Sequence, residues 1–300
     1  MAVSESRPIP VRTTGAAPPG AIERARGVWA HRELLGNLVR KELKVKYKNS
    51  VLGFVWSLLN PALYLVVFSV VFQVFLKANI PFFGIYLLTG LLPWNLFANG
   101  LSAATGSITG NAQLVQKVSF PREILTLAAI GAALVHFFLQ LSVLAVALVV
   151  FRHAPAWELL PLLLPALLVL ILLVVAVGLI LAAVNVVLRD TQHLLELALL
   201  AWFWLTPIVY PFRLVADTVS GGYELLMLNP VTTIVITFQR VLYNQVGHTS
   251  DLGGGTEILP DASTWWYLRN LGLVAAGSAI LLLVALRVFG RFEDDFAEGI

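Results

Sequence analysis

RKELKVKYKNSVLGFVWSLLNPALYLVVFSVVFQVFL, residues 40–76, changes character at one point. Before Asn49 it carries five cations, Arg40, Lys41, Lys44, Lys46 and Lys48, against one anion, Glu42. From Asn49 to Leu76 it carries no charge over 28 residues. A spanning α-helix needs about 20 predominantly apolar residues, so this run is long enough to cross a bilayer. Lys and Arg gather on the cytoplasmic side of spans, so the basic stretch also orients it.

The rest of the chain repeats the pattern. Further uncharged runs lie at 78–116, 124–151, 159–188, 197–212, 225–239 and 270–286. Of the 300 residues, 58% are hydrophobic and 12% charged, half the charge of an ordinary soluble domain, about 25%. The fold class expected is an all-α polytopic membrane protein with six spans, at about 51–76, 83–104, 124–150, 158–187, 193–212 and 266–287. The 225–239 run is short and interrupted by Asn229 and Pro230, and it follows Pro207 and Pro211. Residues 213–245 therefore read as re-entrant helices between the fifth and sixth spans, since broken backbone at membrane depth needs cover from protein or a water-filled cavity. With both termini inside, fifteen Lys/Arg fall on the inner side and five on the outer, and the positive-inside rule selects this orientation.

Residues 1–30 read as a disordered cytoplasmic tail, polar and carrying Pro8, Pro10, Pro18 and Pro19. No short apolar core with a cleavage site is present, so no signal peptide is expected. Residues 31–300 form one transmembrane domain, opening with an interface helix at 31–48. At the helical step, Leu35, Leu38, Val39, Leu43 and Tyr47 share one face. Arg40, Lys41, Lys44 and Lys48 share the other, within an arc of about 100°. Such a helix lies in the membrane plane. Glu42 and Lys46 fall on the apolar side, spaced to pair, unless Lys46 snorkels instead.

Several chemistries are excluded. The chain has no Cys, hence no thiolate site or disulfide. Span interiors hold no carboxylates, and no paired acid and base stands out, so no catalytic, metal-ligating or cofactor-binding residues are assigned. DLGGGTEILPD, 251–261, lacks the Lys of a phosphate-cradling loop, and no Gly-Lys dipeptide occurs anywhere. No nucleic-acid-binding fold is recognisable. His136 and Gln140 lie inside a span and read as neutral hydrogen-bonding groups.

Four stretches resemble one family. KYKNSVLGFVWSLLNP (46–61) is similar to the opening of the permease subunits of type-2 ATP-binding-cassette exporters, in the branch that exports O-antigen, teichoic acid and galactan. KVSFPREILTL (117–127) resembles that family's cytoplasmic loop between the second and third spans. LRD (188–190) resembles its short inner loop before the fifth span. LTPIVYP (205–211), with LNPVTTIVITFQRVL (228–242), resembles its fifth span and re-entrant helices. Thr126 departs from the pattern, where relatives often carry a second proline.

The resemblance implies a homodimer with two copies of a separate soluble ATPase, which supplies ATP and Mg, moving a lipid-linked glycan across a bacterial inner membrane. An exporter of drugs or lipids from the same superfamily is the alternative within transport, and a membrane-embedded glycan-lipid transferase the alternative outside it. Candidate ATPase-docking residues are Arg40, Lys41, Lys44 and Lys48 on the interface helix, and Gln113, Lys117, Phe120, Pro121, Arg122 and Glu123 on the inner loop. Phe120 is an apolar knob for a partner pocket, and Arg122 and Glu123 are available for ion pairs. Arg189 and Asp190 are either a coupling contact or an interfacial anchor with a turn-forming Asp. Phe54, Tyr64, Phe68, Phe72 and Phe75 fall within an arc of about 80° on the first span; with Trp202, Phe203 and Tyr210 they line a glycan pathway or pack between helices.

Overall fold

The computed structural model describes residues 20–48, 55–75, 80–118, 120–244, 247–249 and 255–292. Helices dominate: α1 (Ala21–Ala30), α2 (Arg32–Tyr47), α3 (Val55–Ser69), α4 (Phe83–Thr105), α5 (Ala112–Lys117), α6 (Glu123–Val150), α7 (Leu163–Val187), α8 (Thr191–Trp204), α9 (Phe212–Thr218), α10 (Gly222–Leu228), α11 (Pro230–Leu242) and α12 (Thr264–Phe292). Two three-residue strands, β1 (Gly247–Thr249) and β2 (Gly255–Glu257), pair antiparallel before α12. A π-helical stretch, Val70–Phe75, prolongs α3, and a 3₁₀ turn, Trp157–Leu162, leads into α7.

Four helical stretches are long and apolar enough to cross a membrane: Val55–Phe75, Glu123–Val150, Trp157–Val187 and Thr264–Phe292. A fifth is possible if α10 and α11, bent by 98° at Asn229, count as one broken span. The 23-residue helix α4 does not reach the same hydropathy, because Pro93, Asn95 and Asn99 interrupt it. Burial supplies the reason: α4 packs against α3, α6, α7, α8 and α11, and nearly every residue from Phe83 to Phe97 is buried. A helix wrapped by other helices needs no apolar perimeter for lipid.

Packing between α4 and α7 rests on small residues. A Cβ on Gly178 would lie 2.9 Å from the Ala104 Cβ, and one on Gly100 2.8 Å from Val174 Cγ1. Helices within a bilayer associate by close van der Waals contact rather than water exclusion, which favours such residues. The Asn185 amide donates to the Thr105 carbonyl at 3.0 Å and ties the same two helices near their ends. Buried aromatic hydroxyls also find acceptors, as they must: Tyr86 donates to the Tyr210 carbonyl at 2.7 Å, and Tyr243 to that of Pro81 at 2.7 Å.

Two elements depart from the sequence reading. Of the expected tail, residues 1–30, the stretch Ala21–Ala30 is helical and anchored, and residues 1–19 lie outside the described residues. The Gly20 N–H donates to the Glu23 carboxylate at 3.3 Å at the helix start, and Arg24 is buried on the inward face. The expected fifth span, 193–212, is helical only to Trp204. Pro207 has no N–H to continue the ladder, and Thr206 instead donates its hydroxyl to the Trp202 carbonyl at 2.9 Å. The expected re-entrant region contains α9, α10 and α11, the last almost wholly buried.

Candidate functional site

The basic face of α2 is exposed as the wheel requires: Arg40, Lys41, Lys44 and Lys48 all reach solvent, while Leu38 on the opposite face is buried. Lys41 donates to the Asn111 side chain and so joins α2 to the 3₁₀ turn Thr109–Asn111, which precedes α5. The pairing of Glu42 with Lys46 does not form. Glu42 lies 3.5 Å from Lys41 instead, and partial desolvation holds the Lys46 ammonium below the usual lysine range.

The inner loop divides into exposed and buried parts. Gln113 and Lys117 on α5 are exposed, and Val115 between them is buried. Phe120 is half-buried against an apolar cluster that includes Leu38, Ile108, Ile124, Leu179 and Phe289, so its ring is largely engaged within the chain rather than projecting as a free knob. Pro121 and Arg122 are half-buried, and a Cβ on Gly27 of α1 would lie 3.4 Å from Pro121 Cγ. Helix α1 thus sits directly over the loop.

Glu123 corrects the sequence reading. Its carboxylate is not open to a partner chain: it pairs with the Arg24 guanidinium, and the two side chains are only 4% and 5% exposed. The pair fixes α1 to the start of α6, where a carboxylate in the first turn also meets the positive end of the helix dipole. Three residues on, the Thr126 hydroxyl lies 3.0 Å from that of Ser107. The Ser107 proton goes to the Ala104 carbonyl at 2.6 Å, so Thr126 is the donor. Thr126 therefore adds a bond between α6 and the turn that follows α4. Arg189 and Asp190 are exposed in the turn between α7 and α8.

The aromatic candidates separate. Phe54 lies outside the described residues. Tyr64, Phe68 and Phe72 form a ladder with ring centroids 6.0 Å apart at each step. Phe72 stacks on Phe83 of α4 at 3.9 Å and 6°, so the middle of the stripe packs between helices. Tyr64 and Phe75 stay exposed. On α8, Trp202 meets Phe97 edge-on at 5.0 Å, and Phe203 meets Trp94 at 5.6 Å. Tyr210 donates its hydroxyl to the Trp204 carbonyl at 2.8 Å. Both groups lean on α4, at different turns; no ring contact joins them among the described residues.

Sequence reasoning missed two features. Asn229 is a hub: its side-chain oxygen accepts from the Trp202 indole at 2.9 Å and from the Val231 N–H at 3.0 Å, and its amide donates to the Thr206 hydroxyl at 2.9 Å. It caps α11 and ties it to α8. The other is a cavity of about 740 Å³ between α2, α3, α4 and α6. Behind it, the Tyr47 hydroxyl meets Ser57 and lies 2.9 Å from His136 Nδ1. Polar residues inside the spans were the available signal for both.

The family model for the ABC-2 type transporter matches residues 33–243. The chain belongs to the ABC-2 type transporter family. The match runs from the interface helix to the end of α11, across every element that packs on α4. Among curated relatives, the O-antigen export system permease protein RfbA of Myxococcus xanthus is 33% identical over 280 residues, covering 93% of this chain and all of the relative. A Klebsiella pneumoniae protein of the same name is 27% identical over 270 residues, covering 89% of this chain and 94% of the relative. The polysialic acid transport protein KpsM of Escherichia coli is 22% identical over 201 residues, covering 66% and 76%. As an ABC-2 type transporter chain with several helices fit to cross a bilayer, it is a multi-pass membrane protein.

Proposed function

We propose that the chain is the permease subunit of an ATP-driven exporter that moves lipid-linked polysaccharide across the inner membrane of a bacterium. The observation that carries this reading is the match to an O-antigen export permease over that protein's entire length. The polysialic acid transporter among the relatives supports the same substrate class. ATP hydrolysis belongs to a separate soluble ATPase, two copies of which serve a permease homodimer.

Force enters through exposed groups on one side of the bundle. Arg40, Lys41, Lys44 and Lys48 on α2 and Gln113 and Lys117 on α5 offer cations and an amide to the ATPase. Arg122, half-buried beside Pro121, transmits displacement into α6. Arg189 and Asp190 touch the same partner at a second point. The chain crosses the membrane six times with both termini in the cytoplasm; α8 and the segment to Pro211 complete the fifth crossing, and the bent α10–α11 pair dips in and returns. Exposed Tyr64 and Phe75, with Trp204, border the glycan path, while Phe72 supports it from behind.

The test is depletion of the chain followed by lipid analysis. A lipid-linked glycan should accumulate on the cytoplasmic face, and purification in mild detergent should retain an ATPase. Normal surface glycan after depletion, or transport by the chain purified alone, would sink the proposal.

A further inference from the structure

The cavity between α2, α3, α4 and α6 holds polar chemistry that the force-transmission scheme leaves unused. Its volume of about 740 Å³ falls within the roughly 300–1,000 Å³ of small-ligand sites. Room is made by Ala103, Ala129, Ala132 and Ala133, whose small side chains line one wall. The Tyr47–Ser57–His136 contacts brace another wall, so the space is held open by bonded groups rather than by a gap in packing.

Apart from Val45, the remaining lining is Lys46, Trp56, Asn60, Asn99 and Gln140, with Glu42 as the one carboxylate. Among the described residues, the Lys46 ammonium and the amides of Asn60 and Asn99 have no hydrogen-bond partner. Gln140 spends its oxygen on the Asn95 amide at 3.4 Å and keeps its own N–H groups. Glu42 is turned to Lys41 and leaves Lys46 uncompensated. Asn60 and Asn99 are exposed on apolar helices, and an amide facing hydrocarbon without a partner is strongly disfavoured. Something polar must therefore meet them.

The set has a chemical profile. One ammonium suits a phosphate. The amides of Asn60 and Asn99 offer paired donors and acceptors that match vicinal hydroxyls, and Gln140 adds N–H donors. The exposed Trp56 indole offers a flat face to the C–H side of a pyranose. We propose that this cavity binds the phosphosugar headgroup of a glycolipid, with Lys46 on the phosphate, Asn60, Asn99 and Gln140 on sugar hydroxyls, and Trp56 against the ring. This rests on the export reading. It adds the place where the substrate head is read, at the junction of the interface helix with the first span, where a headgroup sliding in the leaflet meets the bundle.

The experiment uses the full chain, with any ATPase it retains, in phosphatidylethanolamine nanodiscs. The probe is farnesyl-diphospho-N-acetylglucosamine, and native mass spectrometry reads occupancy. The wild type should hold the probe, Lys46→Gln combined with Asn60→Ala should weaken it at least tenfold, and Lys46→Arg should keep most of it. Ala132→Leu fills the space without removing a polar group and should also weaken binding, which covers failure of the first variant to fold. Displacement by N-acetylglucosamine 1-phosphate would assign recognition to the sugar phosphate alone. Displacement only by unlabelled glycolipid would assign it to the lipid-linked form; either supports the site. Wild-type occupancy in the folded variants, equal displacement by phosphatidylglycerol, or dissociation of a second copy as the main effect of the variants would overturn it. Intact binding in a chain whose depletion leaves export normal would count against the export reading and not against the site.

Discussion

Removing the Glu123 carboxylate should release α1 from the inner loop. Both partners of its pair with Arg24 are nearly inaccessible, at 4% and 5% exposure. Breaking a buried pair from one side costs about 3–5 kcal/mol, whereas replacing both partners by apolar residues is often neutral. At 1.4 kcal/mol per factor of ten, Glu123→Gln should raise the population with α1 detached by about a hundredfold or more. The ceiling is the docking free energy of α1 itself, since beyond it the helix is already free. Trypsin reads this directly, because Arg26 and Arg32 are exposed on helices and cleavage there requires local opening. The native-state cleavage rate at Arg26 should rise by about that factor in Glu123→Gln and in Arg24→Met. It should return to within about tenfold of the wild type in Arg24→Met with Glu123→Leu. Single variants within threefold of the wild type, or a double variant as labile as the singles, would refute the argument that this pair holds α1.

Four further outcomes follow from named contacts. Gly178→Val should destabilise the bundle by at least about 1–3 kcal/mol through overpacking against Ala104, seen as a lower melting temperature in detergent; Gly277→Ala, with nothing within 4 Å, should not. Asn229→Ala removes the cap of α11 and strands the Trp202 indole N–H, and should cost about 2–3 kcal/mol in the same assay. Charge reversal at Arg122 should lower substrate-stimulated ATP turnover of the assembled exporter with the chain still folded; unchanged turnover would reduce the residue to a membrane anchor. The chain has no native Cys, so single cysteines placed at Thr218 and at Gln113 can be labelled in intact cells with an impermeant maleimide: the first should react and the second should not.

The helices of the bundle were legible where hydropathy runs are long and charge marks their ends. The α6 and α7 bounds, Glu123–Val150 and Leu163–Val187, lie close to runs that any reader of the sequence can draw. The central place of α4 was not legible: burial depends on which helices surround it, and its own residues argue against it. Helix α1 was lost because its anchor, Arg24, finds its partner 99 residues away, and no local pattern reports a bond at that range. Glu42 was misread for a local reason: its spacing to Lys46 favours a pair, but the adjacent Lys41 takes the carboxylate instead. At the candidate site, the basic face of α2 could be read from a wheel. The cavity could not, because four elements contribute to it and each contribution alone is ordinary.

The sheltered position of α4 has a consequence for how the chain is made. Pro93, Asn95 and Asn99 make this helix a poor solitary passenger for the insertion machinery, which charges heavily for polar residues at the centre of a span. Its two main neighbours, α6 and α7, are encoded downstream and are complete only at Val187. At a synthesis rate of about 5–20 residues per second, α4 waits on the order of ten seconds before those neighbours emerge. During that interval it must be held by the translocon, by an insertase or by α3 alone. Variants that slow translation between residues 105 and 187 should therefore lower the yield of folded chain without changing a single side chain.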